Sequence, residues 1–280
     1  MIAKFALTAC LVSLPALVSA DSLPLWEIGL GGGALRIPDY RGAQDARTYL
    51  YPFAIPFYRG KYLRSDEDGV RGEVLISKRV KFDFSLDGNV PVNSGDVLVR
   101  HDMPDLAPTF QIGPALNIKL WHSAQEQSTL IAFLPLRLAI AVDFPELYHI
   151  GYTFSPRLNY NRKVDFMGGQ WRMGVGVGLE YGTEAFHGFY YQVDSQYATP
   201  TRLAYDAQGG FAGYRSIFTF YRRFPNIWVS FYGRYDRIDN AVFADSPLAV
   251  RKDGATVGFL VTWILFRSKT MVEERDWKYY

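Results

Sequence analysis

Histidines are the residues best suited to catalysis or metal binding in this chain, and the sequence contains four: His101, His122, His149 and His187. A hydrolase needs a nucleophile with a base within hydrogen-bond reach, and a metal enzyme needs ligands at characteristic spacings. The four histidines lie in or beside predicted connections and do not share a strand face. The sequence has no H-E-x-x-H, no G-x-S-x-G and no P-loop. We therefore predict no catalytic residue, no metal site, no cofactor and no enzymatic activity.

Charged residues within predicted strands form the second set that could do chemistry. They alternate with apolar residues, which places them together on the opposite face of each strand. The set comprises Arg71, Glu73, Lys81, Asp83, Lys119, Arg137, Arg157, Arg172, Glu180, Arg215, Arg234 and Asp236. Two functions fit this pattern. The charges could form cross-strand ion pairs that fill a narrow barrel, or they could line a passage that favours anionic solutes.

The alternation that places these charges is clearest in residues 170–182, QWRMGVGVGLEYG. Trp171 and Tyr181 begin and end an apolar face, and three glycines lie between Arg172 and Glu180 on the other face. A helix is disfavoured because each glycine costs about 1 kcal/mol there. The ten-residue spacing of the aromatics spans about 33 Å, or about 25 Å at a tilt of about 40°, which is the height of the apolar band of an outer-membrane barrel. The segment predicts a strand that faces lipid.

Further segments repeat this alternation along the chain. They are residues 25–37, 49–58, 61–77, 80–87, 109–121, 129–142, 150–162, 188–194, 211–222, 226–236 and 255–266. Together they predict an all-β fold, a transmembrane antiparallel β-barrel of about 12 strands, with 10–14 possible. Long outer loops are expected at residues 195–210 and 237–254. Residues 89–107 then fall on the periplasmic side, where turns are usually short.

Composition limits the class of protein. The 30 Lys and Arg residues nearly balance the 28 Asp and Glu residues, so no basic field for nucleic acid is indicated. Aromatic residues make up 16% of the chain, which is typical of a protein that is apolar outside and polar inside. A secreted soluble sandwich is the alternative, because its strands also alternate.

The first 20 residues predict a secretory signal peptide, with Lys4 before an apolar stretch and a small-residue cleavage site that ends at Ala20. Cys10 lies in a sequence that superficially resembles a lipoprotein processing site, but cleavage there would leave a very short apolar core. After cleavage at Ala20 the mature chain has no cysteine, which excludes disulfides and thiol catalysis. We predict a signal peptide at 1–20, a barrel at 21–266 and a charged periplasmic tail at 267–280.

Three groups of residues carry a resemblance to a known family. Gly29 to Gly33 precede a loop with Pro38, Tyr40 and Gly42; Thr199 and Pro200 lie in a second loop; Ser246, Pro247 and Leu248 precede the last strand. In this order they resemble the MipA/OmpV family of outer-membrane proteins. The resemblance implies a non-enzymatic barrel among outer-membrane lipid and lipopolysaccharide, acting as a scaffold for a murein hydrolase and a murein synthase. A small-solute pore, or a surface receptor or adhesin, is the alternative.

The resemblance places the contact with murein enzymes on the periplasmic side. The expected segments are residues 89–107 and 267–280. The family usually ends on an aromatic residue of the last strand, whereas this chain continues beyond Phe266. The continuation is either an extension without fixed structure or a short segment that faces a partner through Trp277, Tyr279 and Tyr280.

Overall fold

The computed structural model describes residues 22–60, 63–66, 69–72, 74–75 and 77–273, with side chains described for 22–60 and 77–272. The predicted signal peptide, Glu73, the side chain of Arg71 and residues 274–280 lie outside these parts. The strands are β1 Ser22–Pro24, β2 Trp26–Pro38, β3 Ala46–Arg59, β4 Leu63–Asp66, β5 Gly69–Gly72, β6 Val74–Leu75, β7 Val80–Asn89, β8 Thr109–Ser123, β9 Ser128–Asp143, β10 Glu146–Phe154, β11 Arg157–Phe166, β12 Gly169–Gly182, β13 Gly210–Arg223, β14 Ile227–Arg237, β15 Asp253–Arg267 and β16 Met271–Glu273. One α-helix, α1, spans Glu184–Tyr191, and 3₁₀ turns span Ser94–Asp96, Leu98–Arg100 and Ser195–Tyr197.

An antiparallel ring contains most of these strands. Its order is β4, β3, β2, β15, β14, β13, β12, β10 with β11, β9, β8 and β7. β5 pairs with β4, β6 pairs with β7, and one residue separates β5 from β6 in the chain, so together they close the ring. β10 and β11 share one position because both pair with β9. The described strands therefore occupy twelve positions, and the prediction of an antiparallel β-barrel of about 12 strands is confirmed.

β8 shows why these sequences form a barrel for lipid. Thr109, Gln111 and Asn117 point into the ring and are buried, whereas Phe110 and Ile112 point outward and are exposed. In water this arrangement would be unfavourable, because the fold buries polar side chains and exposes apolar ones. In lipid the outward face is already in an apolar solvent, and the closed ring pairs the backbone groups that lipid cannot satisfy.

The connections differ sharply between the two ends of the barrel. The end that we call the long-loop end carries residues 39–45, 90–108, 144–145, 183–209 and 238–252, together with the ends of β4 and β5 at Asp66 and Gly69. The opposite end, the short-turn end, carries residues 60, 77–79, 124–127, 167–168 and 224–226 together with β1 and β16. Outer-membrane barrels have short periplasmic turns and longer extracellular loops, which relates these ends to the two sides of the membrane.

The strand predicted at residues 188–194 is wrong, because α1 covers Glu184–Tyr191. Phe189, Tyr191 and Val193 alternate like strand residues, but Tyr190 and Tyr191 are both buried. Neighbouring residues of a strand cannot both face one core, whereas a helix packed between loops can bury both. Here α1 packs against β10 and the other long loops.

The single strand predicted at residues 61–77 is also wrong. β4 and β5 form an antiparallel hairpin in which Asp66 pairs with Gly69, so two residues connect the strands. One false strand and one missed hairpin leave the total at twelve. Between these two errors, every predicted strand runs in the opposite direction to the strand that the structure has at the same residues.

This reversal explains the conflict over residues 89–107. The segment connects β7 to β8 at the long-loop end, so its predicted position among the short turns is wrong. With the two strands corrected, every long connection lies at the same end of the barrel. If the long-loop end faces the cell surface, as in other outer-membrane barrels, a periplasmic contact would have to use the short-turn end and not residues 89–107.

The short-turn end also holds the first and last described elements. Ser22 pairs with Glu273 and Pro24 pairs with Met271 in a separate two-stranded sheet of β1 and β16. The start of the predicted tail is thus tied to the start of the barrel. In the described residues, no helix has the length and apolarity needed to cross a membrane.

Candidate functional site

The long connections fold together into a compact unit, which we call the loop cap and define as residues 39–45, 90–108, 183–209 and 238–252. Its apolar core joins all four segments through Tyr40, Val97, Tyr191 and Phe243, among others. The rings of Tyr191 and Phe243 stack with centroids 3.7 Å apart. Loops that share a buried core hold one another in place, so the cap covers this end of the barrel as a folded structure.

The residues of the family resemblance lie in this cap or at its edge. Tyr40 donates its hydroxyl to the Leu248 carbonyl at 2.9 Å, and the Ser246 hydroxyl donates to the Tyr191 carbonyl at 2.8 Å. Gly42 adopts φ +87°, a conformation that favours glycine. The remaining members are Pro38 at the end of β2, Thr199 and Pro200 in a turn closed by bonds between Thr199 and Arg202, and Pro247 beside Ser246. These residues therefore join the segments of the cap.

Two buried arginines that the sequence did not single out also hold the cap together. Arg100 donates to the Tyr190 carbonyl at 3.1 Å and to the Pro104 carbonyl at 3.2 Å. Arg202 donates to the carbonyls of Val99 and His101, at 3.1 and 2.8 Å. Guanidinium groups suit this task because their several donors can satisfy loop carbonyls that no strand pairs. No spacing in the sequence indicates these contacts.

His187 is fully buried in the cap. Its Nδ1 lies 2.7 Å from the Gln208 carbonyl, and its ring meets the Phe243 ring edge-on at 4.8 Å. Nδ1 therefore carries the proton, and the buried Nε2 has no hydrogen-bond partner. Burial, with a smaller contribution from the positive charge of Arg41, lowers the pKa of His187 to about 4. The histidine is neutral at physiological pH and packs as an aromatic ring.

Directly beneath the cap lies a network of ion pairs, the lumen cluster, made of Arg41, Asp87, Arg137, Glu180, Arg215, Arg234 and Asp236. Arg215 is its centre: Nη1 lies 3.3 Å from Glu180 and 3.5 Å from Asp87, and Nε donates to Asp236 at 2.9 Å. Asp236 also binds Arg41 at 3.2 Å and Arg234 at 2.8 Å. Arg137 lies 3.9 Å from Asp87 and donates to Ser85 at 2.8 Å.

The structure thus brings five of the predicted lumen charges together, namely Arg137, Glu180, Arg215, Arg234 and Asp236. It places the others elsewhere in the barrel. Lys81 pairs with Asp83 at 3.2 Å, and Lys119 is buried. Arg157 lies over the Phe133 ring at 4.4 Å, and Arg172 lies 6.0 Å from the Tyr221 ring centroid. Arg71 and Glu73 lie outside the described side chains.

Two members of the lumen cluster and one further ionic site are absent from the residues predicted from the sequence. Asp87 shares the inward face of β7 with Lys81 and Asp83, so its alternation was available as a signal. Arg41 comes from a loop, where no periodicity places a side chain. At the short-turn end, Glu27 is fully buried and binds Arg59 at 2.9 Å and Arg223 at 2.6 Å.

A small polar cavity lies between the cap and the lumen cluster. Its volume is about 40 Å³, and its lining includes Arg41, Asp87, Gln111, Glu180 and Arg234. A second, open groove of about 420 Å³ lies at the short-turn end, between residues 125–127 and 162–170. The described residues contain no group of three or more potential metal ligands.

The four histidines are dispersed over the molecule. His187 is in α1, and the exposed His101 lies 3.0 Å from Asp102 in the cap. His122 is near the short-turn end of β8, and His149 contacts Tyr152 in β10. None of these contacts pairs a histidine with a serine nucleophile.

A closed antiparallel ring with an apolar exterior, a charged interior and long connections at one end defines an outer-membrane β-barrel protein. A family model described as MltA-interacting protein MipA matches residues 30–265. The chain therefore belongs to the MipA family, and the resemblance seen in the sequence is confirmed.

Two other comparisons add little. The search of curated proteins gives no match. Among solved structures, a protein titled CymD monoaromatic hydrocarbon channel is similar with a TM-score of 0.32 at 10% sequence identity, over 87% of this chain and 90% of that chain.

Proposed function

We propose that this protein is a non-enzymatic outer-membrane anchor that binds murein-hydrolysing and murein-synthesising enzymes at its short-turn end. The description of the family names an interaction with MltA. The observation that carries the proposal is that the interior and the long-loop end of the barrel are already occupied by packed side chains. Ion pairs occupy the interior, and the folded cap covers the long-loop end.

The short-turn end offers a defined surface for such a partner. The groove of about 420 Å³ is lined by polar and charged residues of both signs, including Glu126, Arg162, Lys163 and Asp165. A mixed-charge polar surface suits a reversible protein contact, because charges at the rim of an interface set orientation and association rate more than affinity. The sheet of β1 and β16 lies at the same end, and we include residues 274–280, which follow β16 in the sequence, in this proposed surface.

Photo-crosslinking from single positions tests this proposal. A photoreactive residue at Gln125 or Gln170 would lie in the groove, and one at the exposed Leu203 would lie on the cap as a matched control. We expect murein hydrolases and synthases to be captured in cells from the two groove positions and not from Leu203. Capture from Leu203 alone would contradict the proposal. Deletion of residues 274–280 should weaken capture if the tail contributes.

A pore is the second candidate function, favoured by the excess of arginine in the interior. A barrel that conducts anions should give stable single-channel steps in planar bilayers. These steps should shrink when Arg172 or Arg234 is replaced by glutamine. The anchor proposal predicts no stable conductance from the capped wild-type barrel, so this recording separates the two functions.

A further inference from the structure

The lumen cluster contains more positive than negative charge. Ion pairs with N···O distances of 2.8 to 3.9 Å connect four guanidinium groups, those of Arg41, Arg137, Arg215 and Arg234, to only three carboxylates, those of Asp87, Glu180 and Asp236. Asp236 alone is shared by three of the guanidiniums. Arginine stays protonated in proteins, so the excess cannot disappear by loss of a proton.

Arg157 increases this imbalance. It begins β11, two residues after Ser155, whose hydroxyl donates to Glu180 at 2.8 Å and accepts from Arg137 at 3.3 Å. The Nε of Arg157 is buried without a hydrogen-bond partner, and the Arg157 guanidinium lies over the Phe133 ring. No carboxylate lies within ion-pair distance of Arg157 among the described side chains, so the region holds a fifth positive charge.

The cavity of about 40 Å³ lies at this excess charge. Arg41, Arg215 and Arg234 contribute to its lining, and the buried Nη2 of Arg41 has no hydrogen-bond partner. Thr153 donates to the Gln111 side-chain oxygen at 2.8 Å, which leaves the Gln111 amide nitrogen as a further donor in the lining. Buried donors without partners are costly, and an uncompensated buried charge is more costly still.

We propose that this cavity is a binding site for a small monovalent anion of the size of chloride. A water molecule needs about 10–15 Å³ of such water-accessible space, so the cavity of about 40 Å³ has room for a monatomic ion with one or two waters and is well below the about 150 Å³ that holds a molecule such as benzene. A cation is disfavoured because Asp87 and Glu180, the two carboxylates of the lining, are already bound by Arg215. The site lies at the opposite end from the proposed enzyme-binding groove and is independent of it.

The proposal predicts that the ion stabilises the barrel in proportion to its occupancy. The unfolding midpoint of the detergent-solubilised full chain should rise with chloride relative to gluconate, which is too large for the cavity, at constant ionic strength. Crystals soaked in bromide should show an anomalous peak in the cavity beside Arg41 and Arg234. Water in the cavity, with bromide found only on the outer surface, would overturn the proposal.

Two variants test the charge argument in opposite directions. Arg41→Gln removes one charge and one donor, so halide affinity should fall by about tenfold or more. Asp87→Asn increases the positive excess, so halide affinity should rise by a similar factor. This second variant remains informative if Arg41→Gln fails to fold. Arg251→Gln, at an exposed arginine, is the matched control and should leave halide affinity unchanged. Equal affinity in Asp87→Asn and wild type would overturn the assignment.

Discussion

Arg215 and Asp236 stand directly opposite each other on β13 and β14, and Arg215 Nε donates to Asp236 Oδ1 at 2.9 Å. The same guanidinium reaches Glu180 and Asp87, so one side chain on β13 joins carboxylates from three other strands, β7, β12 and β14. The interior of the barrel is thus held by a network with a single centre.

Replacement of Arg215 by glutamine should destabilise the barrel strongly. It leaves the carboxylates of Asp87, Glu180 and Asp236 with fewer partners, the last two of them buried, and breaking a buried ion pair from one side typically costs about 3–5 kcal/mol. The measurement is the unfolding free energy in urea, followed by the change in gel mobility between folded and unfolded barrel.

The matched control for this variant is Arg237→Gln. Arg237 binds Asp239 at 2.8 Å in a solvent-exposed pair, and such pairs contribute little to stability because solvent screens them. Equal losses of stability in the two variants would show that the interior network is not special.

The contrast between β8 and α1 shows what the sequence could predict. In β8 each inward residue meets the interior and each outward residue meets lipid, so two environments impose a strict two-residue period. α1 lies in the cap, where loops surround it on several sides. The spacing of its apolar residues in the sequence therefore does not indicate which side chains are buried. Thr183 followed by Glu184 was nevertheless available as a helix-start signal, because both residue types are favoured at a helix N-terminus.

The missed hairpin had a local signal as well. Asp68 and Gly69 form a dipeptide typical of tight turns between strands. Arg41 and the arginines that bind backbone carbonyls in the cap had no local sequence signal, because their positions depend on how four separate loops pack. The strand positions and interior charges follow from local sequence, whereas the assembly of the lumen cluster depends on tertiary structure.

Acid should weaken the cap through His187. Its pKa is about 4 in the folded cap and about 6.5 when exposed. The neutral histidine therefore stabilises the closed cap fully above pH 6.5. As the pH falls towards 4 this stabilisation is lost, because His187 binds a proton in the open cap and not in the closed cap. The difference in pKa corresponds to at most about 3 kcal/mol.

Hydrogen exchange of cap amides between pH 7 and pH 5 measures this effect. We expect faster opening at pH 5 in the wild type and a much weaker dependence in His187→Gln. His101→Gln, at an exposed histidine, is the control and should behave like the wild type. A wild-type pH dependence that persists in His187→Gln would contradict the assignment to His187.

Gly42 should not tolerate alanine. Its φ of +87° strains any residue with a Cβ, and the added Cβ would lie 2.6 Å from Ile238 Cδ1. Strain and clash together should cost about 2 kcal/mol or more of cap stability. The measurement is protease resistance of the cap in intact cells.

Gly168→Ala separates the two contributions. Gly168 also has a positive φ of +69°, but its added Cβ would meet no atom within 4 Å. This variant should therefore lose only the strain term, about 1 kcal/mol. Equal losses in the unfolding free energy of the Gly42→Ala and Gly168→Ala barrels would show that the Ile238 contact is unimportant.

The central claim is that residues 90–108 lie with the other long connections at the cell surface, and single-cysteine labelling tests it most directly. Cys10, the sole cysteine, lies in the predicted signal peptide, so Leu98→Cys and Met167→Cys each provide one thiol. The two side chains are 82% and 80% exposed but lie at opposite ends of the barrel. A maleimide too large to enter porins should label Leu98→Cys in intact cells and Met167→Cys only after the outer membrane is permeabilised. Protection of Leu98→Cys in intact cells, with labelling of Met167→Cys, would contradict the account.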